Sequence, residues 1–188
     1  PVYVQDFETR TGRFFPDASG NGLVAHEREG TVSLETGPDG QCGRFDGKGF
    51  LQINDTSLLR FPEVTVSAWV LPDSVAGRWG VVAKRNANTA CAYVMALTST
   101  GVSFEATDVR GRWSYNLHAS VALTTGQWHH IAVTCAEGDT VQVYCDGTMV
   151  ASKPVEGEIV DDDQPVTIGF EAWGGPDSRP DSSGNFRG

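Results

Sequence analysis

No window of this 188-residue sequence approaches the ~18 consecutive apolar residues of a membrane-spanning helix. The longest apolar stretch, Val64–Val70, is already broken by Thr65 and Ser67. Membrane insertion is therefore not expected. Positive charge is also scarce: 14 Lys and Arg stand against 24 Asp and Glu, a formal charge of −10. Phosphate backbones need clustered cations, so no nucleic-acid partner is expected. No eleven-residue window carries an apolar stripe of helical period, and Asp55–Leu59 offers one short helical turn at most. None of the four cysteines (Cys42, Cys91, Cys135, Cys145) belongs to a C-x-x-C pair, and no histidine pair stands at zinc spacing. Each cysteine lies in or beside an apolar strand pattern, which favours buried free thiols over disulfides. Nucleophile elbow, phosphate loop and H-E-x-x-H motifs are all missing.

What is present is period two. Val64, Val66, Ala68 and Val70 fall on one face of a strand, as do Ile131, Val133 and Cys135, then Val141, Val143 and Cys145. Glu137-Gly138-Asp139 reads as the hairpin turn between the last two runs. Further strands are expected at Tyr3–Phe7, Gly43–Phe45, Gly49–Ile53, Gly80–Lys84, Ala92–Leu97, Val102–Thr107, Trp113–His118 and Val166–Phe170. Glycine, at 22 residues, exceeds its usual share and punctuates these runs. About ten short strands with frequent turns predict an all-β fold, a two-sheet antiparallel β-sandwich of jelly-roll type, as a single domain over residues 1–188. Asp161-Asp162-Asp163 reads as a solvated turn, with a calcium cluster as the alternative.

Several segments, in order, resemble the laminin-G-like, concanavalin A-like jelly-roll family. They are Val2–Phe7 with the loop Asp17-Ala18-Ser19-Gly20-Asn21-Gly22; Phe45-Asp46-Gly47-Lys48-Gly49-Phe50; Thr65–Val70; Gln127–Thr134 followed by Val143–Gly147; and Pro165–Gly169. The resemblance implies the same sandwich, with Trp69, Trp128 and His130 as framework residues and His129 at a variable position. Members often carry calcium, and Asp6, Asp17 and Asn21 offer oxygen ligands for a structural ion. The family continues past a segment like Asn185–Gly188 into a last strand, whose absence would expose an edge. Together with a start at Pro1, this suggests a piece excised from a larger secreted or cell-surface protein and linked there to other domains.

Catalysis is not expected. Glycoside hydrolysis by such sandwiches needs paired carboxyls on one face. The only central-strand acid is Glu105, and Asp108 would face the other way. A binding function fits better. Trp79, Trp113 and Trp173 lie beside glycine or arginine and outside the family framework, as an exposed stacking platform would. Between Ser74 and Ala119 five cations (Arg78, Lys84, Arg85, Arg110, Arg112) meet only two acids, Glu105 and Asp108. Arginine forks match carboxylate and sulfate oxygens. These residues, with Tyr115 on the Trp113 face, suggest a noncatalytic module that targets its parent protein to a polysaccharide, an acidic one by preference. The alternative is an adhesion or scaffold domain that binds a protein.

Overall fold

The computed structural model describes residues 1–86, 90–171 and 185–188. Fourteen strands and one 3-10 turn make up the described elements. They are β1 (Phe14–Pro16), β2 (Val24–Arg28), β3 (Val32–Thr36), β4 (Gln41–Phe45), β5 (Phe50–Ile53), β6 (Glu63–Val70) and β7 (Arg78–Asn86), then β8 (Ala90–Thr98), β9 (Gly101–Glu105), β10 (Leu117–Ser120), β11 (His129–Ala136), β12 (Thr140–Cys145), β13 (Thr148–Pro154) and β14 (Val166–Ile168). Every ladder between these strands is antiparallel. An eight-stranded sheet runs β1-β2-β5-β14-β7-β8-β9-β10, a four-stranded sheet runs β13-β12-β11-β6, and β3-β4 form a separate ribbon. Among the described residues no helix is long and apolar enough to cross a membrane.

The core follows from the alternation. Ile131, Val133 and Cys135 of β11 and Val141, Val143 and Cys145 of β12 point inward from the small sheet. They meet Leu51, Ile53, Met95, Leu97, Val102 and Phe104 from the large one. Each such side chain contributes about 1.5–3 kcal/mol by leaving water. The β11–β12 hairpin turns at Gly138, whose φ of 67° suits glycine. All four cysteines are free, and Ile131, not Cys135, lies across from Cys145.

Three sequence expectations change. Tyr3–Phe7 is not a strand: its chain is held by Ala18 N–H donating to the Val4 carbonyl (2.9 Å), no strand among the described residues ladders with it, and Phe7 takes a φ of 60°. Trp113–Asn116 is a turn, and the strand begins only at Leu117, because Asp108 gathers the 108–114 chain around its carboxylate. Asp162 is not solvated. It is buried and accepts from Lys84 Nζ at 2.9 Å, while Lys84 Nζ also reaches Asp55 Oδ1 at 2.9 Å and the Gln164 carbonyl at 2.8 Å.

That last cluster fixes β14 against β7. A buried ammonium needs its counter-charges, and removing the cation strands the buried Asp162 carboxylate, while Asp55 keeps Arg60. Lys84→Met keeps the stem's packing, yet it is expected to lower unfolding free energy by about 3–5 kcal/mol in urea denaturation.

Candidate functional site

The arginine-rich strand β7 sends successive side chains to opposite faces. Lys84 faces the sandwich interior beside Tyr93, its cross-strand neighbour. Arg85 points to the outer face of the large sheet, where Ala83, Cys91, Val94 and Ala96 form a small apolar cluster with Trp113 packed on it. The Arg85 guanidinium lies 5.2 Å from the Trp113 ring centre. It also pairs with the fully buried Glu171. Arg78 Nε donates to Glu171 Oε2 at 2.8 Å, and Arg78 Nη1 lies 2.8 Å from Glu105 Oε1. Two arginines thus meet two glutamates on this face. At Gly80 a Cβ would sit 2.6 Å from the Glu171 Cβ, so glycine is needed for the chain bearing Glu171 to approach.

The sequence-predicted binding residues are therefore only partly surface groups. Lys84 and Arg85 are buried ion-pair partners, which corrects their expected place in an exposed anion-binding face. Tyr115 is fully buried, with its hydroxyl donating to the Gly157 carbonyl, so it is a packing residue and not a platform. Trp79 packs its ring against the core, although its indole nitrogen has no partner among the described residues. Arg110 and Arg112 remain exposed, and Arg112 is committed to Asp108 at 2.7 Å. Trp173 lies outside the described residues. The structure brings Arg78, Arg85 and Trp113 together but neutralises their charge with Glu105 and Glu171, the latter 86 residues beyond Arg85 in sequence.

The calcium ligands do not fit. Asp17 Oδ1 accepts the Val4 and Ser19 N–H groups (2.9 and 2.8 Å), and Oδ2 accepts the Ser19 hydroxyl. Asn21 turns its amide nitrogen toward the Pro1 and Val2 carbonyls, presenting a donor where a cation needs an acceptor. Asp6 is exposed and accepts the Glu8 N–H. These side chains fasten the opening segment to its loop.

One other cluster has a metal-like composition: His129, Cys145 and Asp146, whose ligand atoms lie within 4.8 Å of one another. The Thr124 N–H donates to His129 Nε2 at 3.0 Å, so the proton sits on Nδ1 and is donated to Asp146 Oδ2 at 2.9 Å. Burial pushes the Cys145 thiol up to about 11. A protonated nitrogen and a protonated thiol make this a hydrogen-bonded clamp on the β12–β13 turn. His129 is thus a buried structural residue and His130 the more accessible one, the reverse of the expectation from resemblance.

The largest correction concerns Trp69. Expected as framework, it is 55 % exposed on the outer face of edge strand β6. His130 of β11, directly across the ladder, braces it with ring centres 5.2 Å apart. Trp128, also expected as framework, is half-buried. The outward positions beside Trp69 are Ser67, Thr65, Ala132, Thr134, Gln142 and Tyr144. The Tyr144 hydroxyl donates to Gln142 Oε1 at 2.8 Å. Glu63, at the far end, is the only fixed charge among the outward positions of β6, β11 and β12. The signal was in the sequence: Val64, Val66, Ala68 and Val70 inward leave Trp69 outward.

The model of the concanavalin A-like lectin/glucanases superfamily, laminin-G type, matches residues 45–181. The chain belongs to this superfamily. No curated protein matches it in sequence. Among solved structures, domain 4 of AbnA, a GH43 extracellular arabinanase from Geobacillus stearothermophilus in complex with arabinotriose, superposes with a TM-score of 0.68 at 19 % identity, over 92 % of this chain and 82 % of that one. The binding domain of Paraclostridial Mosquitocidal Protein 1 also gives 0.68, at 16 % identity, over 94 % of this chain and 45 % of that one. The binding domain of Botulinum Neurotoxin DC in complex with SialylT gives 0.64 at 15 % identity, over 88 % and 41 %. The chain thus spans less than half the length of these toxin domains. At such identities the likeness establishes the lectin-like sandwich and nothing finer.

Two predictions follow from the site chemistry. Burial pushes the Asp108 carboxyl up, but hydrogen bonds from the Arg112 N–H and guanidinium, the Ser114 hydroxyl and the Arg110 N–H outweigh it and hold it well below 3.8. A carboxyl lowered on folding stabilises above its unfolded value and loses that contribution as pH falls through the folded one. Asp108→Asn should therefore lower stability at pH 7 and flatten the acid limb of the Tm–pH curve below 3.8. Separately, calcium or EDTA should move the Tm by less than about 1 °C, since an ion that binds only the folded state would raise it.

Proposed function

We propose that this superfamily member is a noncatalytic carbohydrate-binding module of a secreted or surface protein, and that it takes a neutral polysaccharide. The observation that carries the reading is the exposed Trp69 indole braced by His130 on a sheet face of hydroxyl and amide side chains. A flat aromatic surface stacks on the apolar face of a sugar ring, and the surrounding polar groups meet its hydroxyls. The near absence of charge on that face favours a neutral chain over the acidic one expected from the arginine count. A modest site of this kind acts by raising the local concentration of whatever is attached to it.

The state of the carboxylates supports a role without catalysis. Glu105, Glu171, Asp108 and Asp162 are each engaged by a cation. Burial pushes Asp17, Asp46, Asp55 and Asp108 up, but the hydrogen bonds they accept hold each below the ordinary value, and the His129 hydrogen bond lowers Asp146. That is the opposite of the raised acid a glycosidase uses. One feature favours the alternative of a protein partner: among the described strands, β6 pairs with β11 alone, leaving an edge open to strand addition.

Native affinity electrophoresis through gels containing neutral glycans (arabinan, xylan, β-glucan) or acidic ones (alginate, polygalacturonate) tests the reading. At least one neutral glycan should retard the wild type, and Trp69→Ala should weaken that retardation by about tenfold or more. Trp79→Ala is expected to bind as wild type. No retardation by any glycan of a protein shown to be folded, or equal retardation of Trp69→Ala, overturns it.

A further inference from the structure

A cavity of about 230 Å3 opens at one end of the sandwich, between the start of β6, the β7–β8 pair and the 159–161 segment. Its inner wall is apolar: Leu59, Ala92 and Ile159 are buried, and Phe61 and Val64 complete the lining. Tyr93 also lines it. This residue is only 6 % exposed, and its hydroxyl has no hydrogen-bond partner among the described residues. The oxygen itself opens onto the cavity and is not sealed from solvent, so it can donate to whatever enters. Burial first, then the fields of Asp162 and Asp55, pushes the Tyr93 phenol up, so it remains a hydrogen-bond donor at physiological pH.

The rim carries Arg60, Glu137 and Asp161. Arg60 is held by Asp55 and Asp161, and one Glu137 oxygen accepts the Ile159 N–H at 2.7 Å. Counting Lys84 and its partners behind the wall, two cations (Arg60, Lys84) face four acids (Asp55, Glu137, Asp161, Asp162), a balance of −2. An anionic ligand is disfavoured there. A metal ion is disfavoured too, because the carboxylates do not converge: among the described residues the only cluster of three or more metal-ligating groups is the His129 one. The remaining fit is an uncharged molecule with an apolar face for Phe61 and Leu59 and hydroxyls for Tyr93, Asp161 and Glu137. The volume is below the roughly 300–1,000 Å3 of sites for drug-sized ligands and suits a single ring.

We propose that this cavity is a second carbohydrate site, separate from the Trp69 face, which receives one uncharged sugar residue at a chain end or side branch. Its ligand class rests on the glycan reading above, but its location does not depend on Trp69. A ring seated here and a chain lying along the Trp69 face would together let the module grip a polymer at two points.

The test is an amide NMR titration with methyl β-D-glucopyranoside, methyl β-D-galactopyranoside, methyl α-L-arabinofuranoside and, as the acidic probe, N-acetylneuraminate. At least one neutral glycoside should shift the amides of Leu59, Phe61, Tyr93 and Ile159, while neuraminate leaves them in place. Tyr93→Phe keeps the ring and its packing, and should weaken that binding about fivefold, the value of one hydrogen bond. Asp161→Asn changes an exposed rim carboxylate and its pairing with Arg60, which Asp55 still holds, and should weaken it as well, whereas Trp69→Ala should leave it unchanged. Shifts confined to the strands around Trp69 and His130 overturn the cavity site and leave the glycan reading standing. No shift with any neutral glycoside overturns the cavity site, and retention or loss of gel retardation then reports separately on the glycan reading. Tyr93→Phe and Asp161→Asn both binding as wild type would also overturn it.

Discussion

The charges that β7 carries into the protein on both of its faces constrain much of the rest. Lys84 and Arg85 are neighbours in sequence, so a strand must send them in opposite directions, and both end in places with almost no water. Neither charge is tolerable alone. Lys84 collects Asp55 and Asp162, and Arg85 collects Glu171. Asp162 and Glu171 bracket β14, so the two pairs pin that three-residue strand between β5 and β7 in the middle of the large sheet. A strand so short has little ladder of its own, and the ion pairs at its ends supply what the ladder does not.

This arrangement also decides what the surface can recognise. Arg78 and Arg85 would make an anion-binding face if their counter-ions were absent, but Glu105 and Glu171 occupy the guanidinium forks. What the fold leaves open is an indole and an imidazole on the nearly uncharged outer face of β6 and β11, and an end cavity with acidic surroundings whose Tyr93 hydroxyl has no partner among the described residues. Both fit the uncharged, hydroxyl-rich partners proposed above. The same fastening accounts for the loop chemistry. Asp17, expected as a calcium ligand, and likewise Asp108 and Asp146, are spent on backbone N–H groups that hold a turn.

Much of the architecture was legible in the residues. Inward Ile131, Val133 and Cys135, the Gly138 hairpin and the inward face of β6 all follow from alternation and turn chemistry, and the structure has them where the pattern puts them. Trp69 was legible too, since its parity places it outward, but resemblance to a framework position pointed the other way. The short strands β1, β2 and β3 gave weaker signals, because three to five residues with mixed polarity do not alternate clearly. Tyr3–Phe7 erred in the opposite sense: an alternating segment forms a strand only if another strand lies beside it.

The sequence by itself determined the fold class, the inward and outward faces of the long strands, and the lack of any long apolar helix, because these depend on residues within a few positions of one another. Only the tertiary structure decided which charges are free. Arg85 meets Glu171 across 86 positions and Lys84 meets Asp162 across 78, and no local pattern records such a pairing. The cavity beside Tyr93 is of the same kind, since its lining comes from five separate stretches of chain between Leu59 and Asp161 that become neighbours only when the two sheets close.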